Sequence, residues 1–287
     1  MNDIRLGEGE PVELELEGNV ARVLLRRPAV RNAVSAELLD ALHDALSSPL
    51  LESASAVVLA GAGDTFCAGA DLSVVRAAMK GDTDAVLGAM VTKLHAIISL
   101  LRSLPVPVVA AVEGAAVGAG MGLALAADLR VAGRSAVFVP GSLAIGATPD
   151  AGVSYFLTRA LGGPRATAVL LQNQPLRAEA LREAGLVEQV VDDGDTLAAA
   201  TALALRVATS VPATSLLAAR RLVDQATTQG LDAQLAAEER EFRTVWGGPD
   251  FREGVTAFLE RRPPTFANQP REIPVPEEVA TEDALPS

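Results

Sequence analysis

Cysteine occurs once in 287 residues, at Cys67, and histidine twice, at His43 and His95. One thiol excludes an intramolecular disulfide and any zinc cluster built on cysteines, and two histidines are too few for a multi-histidine metal site. Aromatic side chains make up 3% of the chain, too few to favour a cage for an aryl ring. Lys and Arg number 24 against 36 Asp and Glu, a formal charge of -12. That charge repels polyphosphate at long range, so nucleic acid is not expected as a partner; a nucleotide-bearing ligand would need locally placed arginines or backbone amides. The longest apolar stretch, 115–127, is broken by glycines and falls short of the ~18 residues a bilayer crossing needs, so no membrane partner is expected. Residues 1–11 hold three acids, one arginine and no apolar segment, which fits neither a secretory signal nor a transit peptide. A soluble protein of the reducing cytoplasm is the expectation.

What is present is apolar: 49% of the residues, enough to bury a sizeable core as one large domain or one domain plus an extension. Val12 to Glu17 alternates apolar and acidic side chains, and a Gly18-Asn19 turn leads into Val20 to Leu25, predicting a β-hairpin with a solvated edge. Ser35 is placed to cap a helix to about Leu46, with Leu38, Leu39, Leu42 and Leu46 on one face. Ala56 to Ala60 and Pro107 to Val112 are short continuous apolar runs suited to buried strands, each entering a glycine-bearing loop and then a helix. Strand, glycine loop, helix is the repeating unit of an α/β domain. Further helices are predicted over 83–104, 164–172, 178–184 and 196–209, with a strand over 186–191. From Pro212 the pattern is helical only, over 214–225, 231–245 and 251–261, separated by Gly230 and by Gly247-Gly248-Pro249. The expected division is a core over 1–211, a helical extension over 212–262 and a disordered tail over 263–287, where Pro and Glu dominate. The extension carries Leu216, Leu217, Leu222, Phe242, Trp246 and Phe258, apolar side chains that need cover, so self-association is expected.

Two segments carry the chemistry: Phe66-Cys67-Ala68-Gly69-Ala70-Asp71 and Gly114-Ala115-Ala116-Val117-Gly118-Ala119-Gly120-Met121-Gly122. In the second, small residues permit close backbone approach, and the helix-forming residues that follow put free amides at a positive helix end. Taken alone, those glycines would equally serve a helix entering a crowded core. Gly118-x-Gly120-x-Gly122 is similar to a dinucleotide fingerprint, but its third glycine comes one position early. Neither a Gly-x-Ser-x-Gly elbow nor a Walker A motif is present.

Found in this order and spacing, the two segments resemble the signature of the crotonase superfamily, the enoyl-CoA hydratase/isomerase family of fatty acid metabolism, over Val20 to Phe266. The resemblance implies a ClpP/crotonase-like spiral of ββα units, a C-terminal helical trimerisation region, and a homotrimer or hexamer. It implies an acyl-CoA thioester as substrate, with no cofactor beyond the coenzyme A that the substrate itself carries. It carries the two oxyanion-hole amides onto Ala70 and Ala119 and places Ala68, Gly69 and Ala70, with Asp71 beside them, at the adenine end of coenzyme A. In Arg27-Pro28-Ala29-Val30-Arg31-Asn32, similar to the family's first motif, Arg31 is the candidate phosphate contact; it would otherwise be a solvated turn arginine.

The chain departs from the hydratase pattern where it matters for the chemistry. The two glutamates that hold water in hydratases match Gly122 and Ser142, neither of which accepts a proton usefully near neutrality. Asp150 matches the only catalytic carboxylate of some isomerases and the nucleophile of the 4-chlorobenzoyl-CoA dehalogenases; it would otherwise cap a helix beginning at Ala151. His95, on the helix over 83–104, is by default a boundary histidine, yet its spacing matches the dehalogenases' catalytic histidine. The tryptophan that orients the dehalogenase aspartate matches Ser142. The expectation is an isomerase in which Asp150, its pKa raised by neighbours such as Val139, Leu143 and Phe156, removes and returns a proton while Ala70 and Ala119 hold the enolate. A hydratase-like or dehalogenase-like hydrolytic enzyme using Asp150 and His95, and a non-catalytic acyl-CoA binder, are the alternatives.

Overall fold

The computed structural model describes residues 4–266 except Glu8. Its frame is a seven-stranded sheet in the order β1-β2-β3-β4-β5-β7-β10: β1 Ile4–Leu6, β2 Val12–Glu17, β3 Val20–Leu25, β4 Ala56–Gly61, β5 Val108–Val112, β7 Leu129–Gly133 and β10 Gln189–Val191. A smaller sheet joins β6 (Ala115–Val117), β8 (Val137–Val139) and β9 (Leu176–Arg177). The β2/β3 hairpin is antiparallel, and β3, β4, β5, β7 and β10 then run parallel. Burial on both faces is what the unbroken Val, Leu and Ala runs of β4 and β5 require.

The chain alternates between the two sheets. After β5 it turns at Gly114, whose φ is +59°, into β6 and then α4 (Ala119–Ala126); after β7 it enters β8 and later α5 (Val153–Leu161). A strand in the large sheet, a strand in the small one and a helix make each turn of a ββα spiral. The two- and three-residue strands of the small sheet are too short to leave a periodic trace in the sequence. Helix α1 (Ala36–Leu46) buries Leu38, Leu39, Leu42 and Leu46, and the Ser35 side chain accepts from the Leu38 amide. Between it and α4 come α2 (Leu72–Ala78) and α3 (Ala89–Ser103), the latter preceded by a π-helical turn over 84–88. The helical stretch 84–103 is long and apolar enough to cross a membrane, but Met90, Leu94, Ile97 and Leu101 are buried, and the helix packs on α1.

The expected solvated edge of the hairpin is corrected. Strand β1 pairs with β2, and Glu13 is 4% exposed because Arg26 neutralises it. Beyond α6 (Gly163–Leu171) and α7 (Ala178–Glu183), the strand expected over 186–191 shortens to β10, since Leu186 and Val187 are buried in the turn that precedes it. Helix α8 (Thr196–Ser210) covers the sheet face of β4, β5 and β7. The helices beyond Pro212 are α9 (Ala213–Ala226), α10 (Leu231–Val245) and α11 (Pro249–Glu260). Arg220 fixes α9 to the core through Asp128 and the carbonyls of Leu104 and Val106. Phe266 is 8% exposed, so the start of the expected tail, 263–266, packs against the fold; its remainder, 267–287, lies outside the described residues.

Candidate active site

The two glycine-bearing segments meet side by side. Cys67 forms a parallel bridge with Ala116: its amide donates to Ala115 O at 3.1 Å, and its carbonyl accepts from Val117 N at 2.9 Å. Close approach is enforced from both sides. A methyl group built on Gly120 would lie 2.9 Å from Cys67 Sγ, and one built on Gly69, where φ is +82°, would lie 2.7 Å from Val117 O. No side chain larger than hydrogen fits either position.

From the Cys67–Ala116 pair each strand runs on three residues to a candidate donor. Ala70 is bridged to Val34 through Gly69 O and Asp71 N, which turns its own N–H to the opposite side. Ala119 is the first residue of α4, where an N–H has no intrahelical acceptor and the helix end carries partial positive charge. Among the described residues neither amide has a backbone acceptor. Two free N–H groups on adjacent, rigid segments suit a developing oxyanion.

The Ala68–Asp71 loop is held by residues that the sequence did not single out. Asn32 is fully buried; its Oδ1 accepts from Arg27 N at 2.8 Å, and its Nδ2 donates to Ala62 O at 2.9 Å and Thr65 O at 2.7 Å. Arg27 donates to Asp71 Oδ2 at 3.2 Å and to the Ala33 carbonyl. Asp71, expected near coenzyme A, accepts at Oδ1 from Ser73 N and Oγ and caps α2. Those Ser73 bonds, with the Arg27 guanidinium, hold its carboxyl below the usual range. Arg31 is exposed in the left-handed region, φ 53°, and its carbonyl accepts from Ala68 N at 2.9 Å, so it stands beside the loop it was expected to serve. Buried Asn in a turn motif was the available signal for this lattice.

Asp150 is half-buried on the other side. It does not cap α5, a correction of that alternative: the cap is Gly152, φ 77°, and only the Asp150 carbonyl joins in, accepting from Val153 N at 2.9 Å. Between them Ala151 is fully buried at φ 49° and packs on Gly122, where an added methyl would meet the Ala151 carbonyl oxygen at 2.5 Å and its Cβ closer still. Gly122 lies one helical turn beyond Ala119, about 4.5 Å of rise. The residue that follows Asp150 is thus packed against the helix that offers the candidate donor. Burial raises the Asp150 pKa above the ordinary aspartate value, while the charge of His95 and its own backbone draw it back. His95 is exposed on α3, and its charge is the second influence on the Asp150 carboxyl after burial. Leu143, expected to desolvate Asp150, is 37% exposed in the 3-10 turn over 142–145. Ser142 begins that turn, in a loop anchored by Asn173 Oδ1 accepting from Gly141 N at 2.7 Å.

Comparison with known proteins agrees with this architecture. The family profile described as enoyl-CoA hydratase/isomerase matches residues 15–269. A 1,2-epoxyphenylacetyl-CoA isomerase of Escherichia coli (strain K12) is 36% identical over 256 residues, covering 88% of this chain and 97% of that protein. A 2,3-dehydroadipyl-CoA hydratase of the same strain is 35% identical over 248 residues, covering 86% and 94%. The crystal structure of an enoyl-CoA hydratase from Polaromonas sp. JS666 superposes with a TM-score of 0.81 at 34% identity, covering 89% of this chain and 99% of that one. The chain belongs to the enoyl-CoA hydratase/isomerase family, enzymes that act on acyl-CoA thioesters. Its relatives bear both hydratase and isomerase names.

Proposed function

We propose that the chain is an enoyl-CoA isomerase with one carboxylate as its base. The substrate's thioester oxygen accepts from the amides of Ala70 and Ala119, and the Asp150 carboxylate removes an α-proton, leaving the electron pair delocalised over the dienolate. The same carboxyl, now protonated, delivers the proton to the γ-carbon, and the double bond moves between the β,γ and α,β positions. Proton and charge balance without an added reactant, and this chemistry asks for no metal or redox cofactor. Burial raises the Asp150 pKa, which favours one group acting as base and then as acid.

The observation that carries this reading is the Gly122–Ala151 contact. It packs Ala151, the neighbour of Asp150, on the donor helix and leaves no room at 122 for the glutamate that hydration would require. Arg31, Ala68, Gly69, Ala70 and Asp71 form the proposed coenzyme A side, and a trimer or hexamer in the cytoplasm is the proposed form. The test is α-proton exchange on a panel of acyl-CoA esters in deuterated water, wild type against Asp150→Asn. Exchange that survives in Asp150→Asn refutes the assignment. Its loss there also excludes the non-catalytic binder.

One observation favours a second reading, in which Asp150 displaces a leaving group such as halide from a ring carbon of the acyl moiety, and water activated by His95 then hydrolyses the aspartyl ester: the charge of His95 lowers the Asp150 pKa against the effect of burial. Under that scheme His95→Gln would trap an ester on Asp150, visible as added mass on its peptide. The isomerase reading expects no such adduct.

A further inference from the structure

The stretch from Gly141 to Asp150 holds Ser142 near its start and ends in the proposed base, yet no side chain in it is buried. Pro140 before it and Ala151 after it are buried, Leu143 to Thr148 are exposed, and Gly141, Ser142, Pro149 and Asp150 are half-buried. Its main-chain hydrogen bonds are local: Ser142 N donates to Pro140 O, Gly146 N to Leu143 O, Ala147 N to Ser142 O and Val153 N to Asp150 O. Neither a strand partner nor a core side chain within it sets its path. Among the described residues, one hydrogen bond reaches it from elsewhere in the chain: Gly141 N donates to Asn173 Oδ1 at 2.7 Å.

Asn173 is itself firmly placed. It follows α6, its own N–H donating to Leu170 O at 3.1 Å, and β9, which pairs with β8, begins shortly after it. Its φ of 47° lies in the left-handed region, which asparagine tolerates because its short polar side chain bonds locally. The bonded Gly141, at φ 75°, lies against the donor segment: a methyl built on it would be 3.0 Å from Val117 Cγ1 and 3.7 Å from Gly118 N, in the residues that lead into Ala119. The Asn173 bond therefore falls where the base-bearing loop passes the amide-bearing one.

We infer that Asn173 is a positioning residue: its side-chain oxygen holds the loop that ends in Asp150 where it passes the Ala119 segment, and with the Ala151–Gly122 contact at the other end fixes the base relative to the oxyanion hole. This rests on the proposed roles of Asp150, Ala70 and Ala119. Without the acceptor, Gly141 N is left unpaired and the loop is tied only at Ala151.

Two variants separate the bond from the backbone. Asn173→Gly keeps the left-handed turn free of strain and deletes the acceptor. Asn173→Asp keeps an acceptor oxygen in the same place. In the whole protein, α-proton exchange is resolved into kcat and KM, and the Asp150 carboxyl is titrated by 13C NMR without substrate, its signal identified by its absence from Asp150→Asn. Asn173→Gly should lower kcat about 10-fold with KM within about threefold, and its Asp150 should titrate closer to the ordinary aspartate value, because a loosened loop admits water to the carboxyl. Asn173→Asp should return kcat to within about threefold of wild type. A merely structural asparagine would change the unfolding midpoint and leave kcat alone; an unchanged kcat in Asn173→Gly overturns the inference, as does a fall that Asn173→Asp fails to restore. If Asp150→Asn itself keeps exchange, the isomerase reading is lost and the titration alone decides: a lowered Asp150 pKa in Asn173→Gly supports the positioning role, and an unmoved one overturns it.

Discussion

Gly122→Ala separates stability from activity. The added methyl would lie 2.5 Å from Ala151 O and closer to Ala151 Cβ, where relaxed non-bonded contacts sit near 3.5 Å. About 1 Å of movement is therefore needed. Both obstructing atoms belong to a buried residue at φ 49° with no rotamer to yield, so the backbone leading to Asp150 must take up the shift. Overpacking of this kind costs about 1–3 kcal/mol, while replacing a helical glycine by alanine returns about 1 kcal/mol. The net effect on folding is small, about 0–2 kcal/mol. The effect on rate is not, because about 1 Å of misplacement of a reacting group costs on the order of 100-fold.

Proton exchange and urea unfolding on the same preparation check the two halves. Gly122→Ala should lose exchange about 100-fold while unfolding within about 2 kcal/mol of wild type. Adding Ala151→Gly removes one of the two clashing atoms and suits the positive φ, so the double variant should recover part of the lost rate, a coupling that independent sites would not show. Full exchange in Gly122→Ala alone would refute the packing argument and reopen position 122 to a glutamate.

Asp150→Asn should abolish exchange yet leave the protein as stable as wild type at low pH and more stable near neutrality. The carboxyl's folded pKa is raised by burial, so its contribution to stability is fully present below the unfolded value of about 4 and is lost as pH rises through the folded value; chemical unfolding across pH 3–8 measures the divergence. His95→Gln should keep most of the exchange but move its acid limb to higher pH, because the imidazole's charge draws the Asp150 pKa down; a limb that stays in place would show that the two groups do not interact. Helices α10 and α11 leave Phe242, Trp246, Phe258 and Leu259 between 49% and 83% exposed in a single chain, an apolar surface that association would cover. Sedimentation should therefore report a trimer or hexamer at micromolar concentration, and a monomer would contradict it.

The elements legible in the sequence were those with long periods or strong punctuation. Ser35 capping α1, the Gly18-Asn19 hairpin and α10 over 231–245 all follow from local signals. What escaped was non-local. Strand β1 exists because β2 offers it an edge, and β6, β8 and β9 are two or three residues long, with identities fixed only by their partners. Asp150 looked like a helix cap because Pro-Asp commonly is one, and only the left-handed Ala151-Gly152 turn shows otherwise.

The candidate site was legible for a different reason, and incompletely. A donor made of backbone amides leaves no reactive side chain to notice; it leaves instead the marks of close approach, small residues where two chains must touch. Gly69, Gly120 and Gly122 are each fixed by a named neighbour, Val117 O, Cys67 and Ala151, so the motif records packing constraints rather than functional groups. For the same reason it is silent on the lattice behind it. Asn32 makes three hydrogen bonds to main-chain atoms of residues 27, 62 and 65 and thereby fixes the loop that carries Ala70, but a single asparagine in a turn has no spacing to betray those partners. It follows that a substitution in this family can keep every glycine of the motif and still misalign the hole, through Asn32 or Ala151, whose contacts only the folded chain reveals.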